Sequence, residues 1–356
     1  MKRFCSICYL FLPLFLSAQQ QIEIRDSITD IGMNEYIIDH KKQFNVKLEV
    51  GNDVSSFEFI DNNAELTLKP NLSLRYALVL SYKFLSVRIG IRPKISDEKK
   101  EEKGDSDTFR LRFQLLFDNW NHVLEYNSDH GYYVTNTESI TGEKSKNYIQ
   151  LPDLTSHVFF GTSSYKFNKN YSLRAIESQT EIQSKSAGSL MPGFNYTYYS
   201  LTGTDRIKDP DGENIYRDYY NDFNGINLSL GLAYYYTFVL KKYWFVNAYV
   251  VPSAGIDFYK TKIHGPDGIS NNSFSDGFLA LNYGFGGGYN GKKIFFGADF
   301  KNRFTNEKFS SSKLRIIPSN DTFSVYFGYR FKAPKPISKP VDLIEEKVPI
   351  LKDGNH

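Results

Sequence analysis

Near the end of the chain, Phe323, Val325, Phe327, Tyr329 and Phe331 alternate with Ser324, Tyr326, Gly328 and Arg330. Successive side chains of a strand point to opposite faces, so this stretch predicts a strand with one apolar side and one side that accepts an arginine. The same idiom recurs upstream. Leu72, Leu74, Tyr76, Leu78, Leu80 and Tyr82 oppose Arg75, Ala77 and Val79; Leu85, Val87, Ile89 and Ile91 oppose Arg88 and Arg92. Phe109, Leu111, Phe113, Leu115 and Phe117 oppose Arg110, Arg112 and Gln114. His122 to Val134, Ser156 to Phe167, Tyr171 to Gln183 and Ala187 to Leu201 read as further strands. Cleaner ones run through Ile226 to Phe238, Trp244 to Phe258, Leu279 to Tyr289 and Ile294 to Phe300.

Apolar faces that end in aromatic residues and oppose polar faces, strand after strand, predict an all-β fold. The architecture is a transmembrane antiparallel up-and-down β-barrel of about twelve strands, within about 10–14. Phe44 to Val50 also alternates and fits either a first strand pair or an N-terminal extension. Counting back from Phe331 puts Gly203–Asp222, Lys260–Asp276 and Asn306–Asn320 at the outer end. It also puts Asp97–Asp107 and Thr135–Asp153 at the periplasmic end, against the rule of short periplasmic turns. Either one strand is miscounted before Ala187 or the barrel breaks that rule, and the count is the more suspect of the two.

The flanks change the picture next. Lys2 and Arg3 precede the apolar run Phe4 to Leu16 and the small residues Ser17 and Ala18, which predicts a secretory signal peptide over residues 1–18. Residues 19–42 are a periplasmic lead-in, 43–331 the barrel and 332–356 a periplasmic tail. Pro334, Pro336, Pro340 and Pro349 predict an extended conformation for that tail. The chain's 2 cysteines, Cys5 and Cys8, fall in the signal segment, so the mature part has no disulfide or thiolate chemistry. The expected location is the bacterial cell outer membrane. The mean hydropathy of −0.42 does not contradict this, because inward barrel positions are polar. Aromatic residues at 16% suit a barrel with aromatic belts.

Candidate chemistry is sparse. Without Lys2 and Arg3 the 43 basic residues become 41 against 40 acidic ones, a balance unlike that of a nucleic-acid binder. His122 with Glu125 and the serines near Ser128 is the nearest thing to a catalytic constellation, and it has no nucleophile motif. Gly284-Phe285-Gly286-Gly287-Gly288 lacks the Lys-Ser/Thr of a phosphate loop and sits in a strand. The reading is a non-enzyme, with no cofactor and no metal. With apolar faces outward, Arg75, Arg88, Arg92, Arg110 and Arg112 line the lumen, together with Arg174, Asp299, Lys301, Arg303 and Arg330. Few acids are placed beside them, chiefly Asp257 and Asp299. A basic lumen predicts a narrow channel for anionic solutes. The alternatives are a lumen plugged by polar networks, and a structural or adhesin-type barrel that holds a partner through its outer loops or tail. Expected partners are outer-membrane lipid, the barrel-insertion machinery and a periplasmic partner of the tail, with no nucleic acid.

Lys69-Pro70-Asn71, Leu151-Pro152-Asp153-Leu154 and the run Tyr165 to Ala175 lead to Gln183-Ser184-Lys185-Ser186-Ala187-Gly188-Ser189. Together these resemble a Bacteroidetes family catalogued as a domain of unknown function, number 4421, over about Asn34 to Phe331. Gln183, Lys185, Ser186, Gly188 and Ser189 carry the most specific part. The resemblance implies an outer-membrane β-barrel without assigned activity, and it supplies no catalytic residue.

Overall fold

The computed structural model describes residues 32–347, apart from 53–55, 62–63, 73, 92–94, 143–146, 204–218, 266–267, 307–313 and 316–320. The segment read as a signal peptide and the Arg92 position lie outside the described residues. Twelve antiparallel strands close into a barrel. They are β1 (Gln43–Gly51), β2 (Arg75–Tyr82), β3 (Leu85–Ile91), β4 (Asp107–Leu116), β5 (Trp120–Val134) and β6 (Gln150–Tyr165). The second half is β7 (Ala187–Thr202), β8 (Tyr219–Lys241), β9 (Trp244–Gly265), β10 (Gly268–Asn290), β11 (Ile294–Asn306) and β12 (Asp321–Lys332). Each pairs with the next, and β12 closes on β1 with Phe331 opposite Phe44 and Phe327 opposite Leu48. The end where β12 finishes and β1 starts is here called proximal, the other distal.

Register fixes which side chains share a face. Phe327, Leu48, Leu78 and Ile89 stand side by side across β12, β1, β2 and β3, and Phe113 and Leu124 across β4 and β5. Around the other half, Phe194 meets Leu230, Ala254 meets Leu279 and Phe285 meets Phe300. Phe327, Leu48, Leu230 and Phe285 are more than half exposed. Such a continuous apolar belt is untenable in water and is the outer surface of a transmembrane barrel. Trp120, Tyr165, Phe167, Trp244, Tyr289 and Phe296 contact one another in two clusters near the proximal end, as a membrane-interface girdle.

The proximal turns are tight, with Lys83 and Lys242 held at φ 51 and 46. This left-handed conformation fits the twist of a short hairpin at a cost of about 1 kcal/mol for a side chain larger than glycine. Wall height varies. β8, β9 and β10 have 23, 22 and 23 residues, whereas β2 and β3 have 8 and 7. The stretch Lys260–Asp276, expected as a loop, is instead the continuing β9–β10 hairpin. At the distal end the hairpin Phe57–Asp61/Ala64–Lys69 joins β5 through Leu68 and Lys69. Phe57 and Leu68 bury themselves there with Tyr132, Val134, Tyr199, Phe223 and Tyr259.

One open reading closes and two more expectations change. Phe44–Val50, left open between strand and extension, belongs to β1. Tyr171–Gln183 is not a wall strand. It holds helix α3 (Arg174–Glu177) and a short strand, Glu181–Gln183, which pairs with Ile37–Asp39 of the lead-in. The tail is not extended: Lys335–Lys347 is helical (α4), with Pro336 in its first turn, where no intrahelical N–H is needed, and Pro340 inside. The charged run at Asp97–Lys103 is likewise a short surface helix, α1, with no buried residue; α2 is Thr137–Thr141.

Candidate functional site in the barrel lumen

The connection between β6 and β7, residues 166–186, turns inward and fills the proximal end of the lumen. Tyr171 and Leu173 pack with Leu116, Ala187, Met191 and Ala233 on the inner wall. Gln179, Thr180 and Ile182 are fully buried. Backbone groups placed inside a barrel need partners, and the wall supplies them. Asn45 Nδ2 donates to the Ser178 carbonyl at 2.9 Å, and Asn290 Nδ2 donates to the carbonyls of Ala175 and Glu181 at 3.0 Å each. Lys47 Nζ donates to the Glu177 carbonyl at 3.2 Å. Arg330 donates through Nη2 and Nε to the Gln179 carbonyl at 2.6 and 3.1 Å, and also to Asn290 Oδ1 and the Gly291 carbonyl. Gln179 has φ 53, a conformation rare for a side-chain residue, which the surrounding contacts hold in place.

The plug is bound internally by a second set of charges. Arg174 Nη1 lies 2.8 Å from Glu181 and 2.9 Å from Asp118, while its Nε and Nη2 donate to the Leu116 carbonyl at 2.9 and 2.6 Å. Burial works to raise the Glu181 carboxyl, and Arg174 and Lys41 outweigh it, holding it below the usual glutamate range. At Asp118 burial also works upward, and Arg174 and Lys41 again win. Glu177 follows the same pattern, with Lys301, Arg112 and Lys47 overcoming its burial.

Each family-motif residue has a structural task at this junction. The Gln183 amide donates to the carbonyls of Asn170, Lys185 and Tyr36 and accepts from Ser172 N. Lys185 pairs with Glu35 at 2.5 Å, and Ser186 Oγ accepts from Val239 N at 2.9 Å. The Gly188 carbonyl and Ser189 Oγ accept from Asn168. A Cβ on Gly188 would come within 2.6 Å of the Tyr235 carbonyl oxygen, so the chain re-enters the wall where only glycine fits.

Above the plug the lumen divides into two cavities that share Tyr235, Tyr249 and Lys301. One, of about 270 Å³, is charged and lined by Lys47, Arg75, Arg88, Arg112, Glu177 and Asp299 among others. The other, of about 330 Å³, is rich in Asn, Ser and Thr, including Asn195, Asn227, Ser229 and Asn282, with Lys301 its charged lining residue. Basic residues are matched by more carboxylates than the alternation revealed. Arg88 holds Glu49 at 2.7 Å, and Arg112 lies 4.0 Å from Glu125 and 3.7 Å from Glu177. Arg110 lies 2.7 Å from Asp129. The expectation of a basic interior with few acids therefore does not hold. Glu49 lies in β1, the segment whose place in the wall the alternation leaves open. Asp129 shares the lumen-facing parity of Glu125 and Asn127 on β5, a strand whose two faces do not separate cleanly into apolar and polar positions.

Of the expected lumen-lining residues, Arg75, Arg88, Arg112, Asp299 and Lys301 border the charged cavity. Arg110 is buried against Asp129, and Arg330 serves the plug. Arg174 belongs to the plug rather than the wall. The backbone of Arg303 lies in β11 opposite Asn282. The Arg110–Asp129 pair yields a stability prediction. Removing one partner of a buried pair leaves the other uncompensated, so Arg110→Ala should lower the unfolding free energy in urea by roughly 3–5 kcal/mol. An unchanged midpoint would show that water already solvates Asp129.

The possible constellation His122, Glu125 and Ser128 separates, because His122 and Ser128 face lipid while Glu125 faces the lumen. His122 Nδ1 instead meets Ser163 Oγ at 2.9 Å, with its ring stacked on Trp120. Among the described residues no group of three or more His, Cys, Asp or Glu side chains is placed to hold a metal ion.

Among solved structures, the chain is similar to the β-domain of the Bordetella autotransporter BrkA, at 12% identity over 81% of this chain and 99% of that one, with a TM-score of 0.38. It is similar to the outer membrane protease OmpT of Escherichia coli, at 7% over 81% and 94%, TM-score 0.34. A third similar structure is OmpT of Vibrio cholerae, an outer membrane protein, at 9% over 81% and 96%, TM-score 0.30. No curated protein matches the chain significantly in sequence. The family model described as Domain of unknown function (DUF4421) matches residues 25–331, and the chain belongs to that family.

Proposed function

We propose that this chain is a bacterial outer-membrane barrel kept shut by its own plug, a non-conducting structural barrel that presents its outer loops to a partner. The apolar belt and aromatic girdle support the membrane location, with the proximal end in the periplasm. In that orientation the hairpin 57–69 and the helices α1 and α2 are external, and the long proximal connection 166–186 is the plug. A single observation carries the closed reading: wall side chains Asn45, Lys47, Asn290 and Arg330 all hydrogen-bond the plug backbone. Paired charges and a seated plug argue against a permanently open anion pore.

The refolded full-length barrel in a planar bilayer at neutral pH, under a salt gradient, is expected to show no resolvable steps. Stable anion-preferring openings of the unaltered chain would instead establish the narrow-channel reading.

A further inference from the structure

Helix α4 sits on the outside of the barrel. Phe44 faces lipid by register with Phe331, and Tyr82 shares that outer face with Leu85. Yet Phe44, Tyr82 and Phe84 are buried, in one cluster with Val341, Ile337, Leu85, Leu115 and Phe117. The 13-residue helix thus covers the lipid-facing wall from β1 to β4 at the proximal rim. Its length, about 20 Å at 1.5 Å per residue, matches about four strand spacings of 4.8 Å.

Its rotation is fixed as well. Ile337, Ser338, Val341, Asp342 and Glu345 form the covered stripe, at the i, i+1, i+4, i+5, i+8 spacing of one helix face. Lys83, at the tip of the β2–β3 turn, pairs with Asp342 at 2.6 Å and with Glu345, so this acidic flank points away from the membrane toward the proximal tip. The opposite flank carries Pro340, Leu343 and Ile344, and Leu343 and Ile344 are 53% and 49% exposed. The other exposed large apolar side chains described belong to the wall strands or, like Phe167, to their rim.

We propose that α4 is an interfacial helix, embedded at the headgroup–acyl boundary of the proximal leaflet, with Leu343 and Ile344 in contact with bilayer lipid. The occupant of this flank follows from continuity: the helix rests on a surface that lipid already covers on either side. Lys335, Lys339 and Lys347 are positioned along it to reach lipid phosphates. α4 thereby extends the apolar belt beside β2 and β3, the shortest part of the wall.

The test uses the full chain with Cys5 and Cys8 changed to Ser where retained, and single Leu343→Cys or Glu346→Cys substitutions bearing an environment-sensitive fluorophore. The barrels are placed in phosphatidylcholine–phosphatidylglycerol vesicles with or without lipids that carry a nitroxide near the headgroup. The Leu343 probe should emit to the blue and lose roughly half its intensity to the nitroxide, and the Glu346 probe should lose clearly less. Water-like emission from Leu343 would place α4 in solution. Blue emission without lipid quenching would mean a protein contact covers the flank. Either result overturns the proposal, provided heat-dependent gel migration shows the labelled barrels folded.

Discussion

Excising the plug is expected to turn a silent barrel into a conducting one. The excision can be made without straining the wall, because Asn168 Nδ2 reaches the Gly188 carbonyl at 2.7 Å and Phe167 N reaches Leu190 O at 3.3 Å. A turn of about two to four residues therefore suffices to replace 169–187. Twelve strands enclose more space than side chains alone fill, since that limit lies near about eight strands. Stable single-channel steps should appear in the excised form and be absent from the intact one. A milder version targets Arg330. Arg330→Ala leaves the acceptors Gln179 O, Gly291 O and Asn290 Oδ1 without their donor, at roughly 1–3 kcal/mol for each that water cannot reach. Intermittent openings should follow. Arg330→Lys should not restore closure, because an ammonium lacks the planar fork that spans all three. If the excised barrel folds, inserts and stays silent, the plug is not what closes the lumen.

The barrel was legible from alternation, and the plug was not, for one physical reason. Period-2 alternation reports that two faces differ in polarity, not that one of them meets lipid. Tyr171, Leu173 and Ala175 alternate with Ser172 and Arg174 as a wall strand would, yet both sets are buried. The Ser172 and Arg174 side chains turn to Glu181 and Asp118, and Tyr171 and Leu173 to the inner wall. Phe44–Val50 is the converse case, a short segment of the wall proper whose neighbours in sequence are irregular. Exchanging these two segments leaves the total at about twelve and restores the loop rule. With β1 counted and Tyr171–Gln183 removed, Asp97–Asp107 and Thr135–Asp153 move to the distal end. The residues of the resemblance string Gln183 to Ser189 seat the plug strand and shape re-entry into β7. Helix α4 was hidden for a different reason. Its prolines argue for an extended chain when read alone, and the helix is sustained by Phe44, Tyr82, Phe84 and Lys83, which lie far away in sequence.

Acidification should open the intact barrel, and the sign follows from the carboxylates at the plug. Glu177, Glu181 and Asp118 are all held below their ordinary values in the folded state. Groups of that kind stabilise the folded form above their unfolded pKa, near about 4, and that contribution drains away as pH falls through the lower folded values. Glu181 matters most, because it is buried against Arg174 and also accepts from Ser172 Oγ at 2.5 Å. Asp118 is nearly half exposed and contributes less, being screened by water. Once Glu181 is protonated, Arg174 keeps its charge inside the barrel with a weakened counter-ion, a situation that costs roughly 3–5 kcal/mol when a partner is lost outright. Openings should therefore begin below about pH 4 and become more frequent toward pH 3, while the strand signal in circular dichroism stays constant. Glu181→Gln should shift the onset toward neutral pH, since it removes the charge but keeps the shape. Openings with equal frequency at pH 7 and pH 3, or none at pH 3 from a barrel that remains folded, would detach these carboxylates from closure and leave it to the wall donors Asn45, Lys47, Asn290 and Arg330.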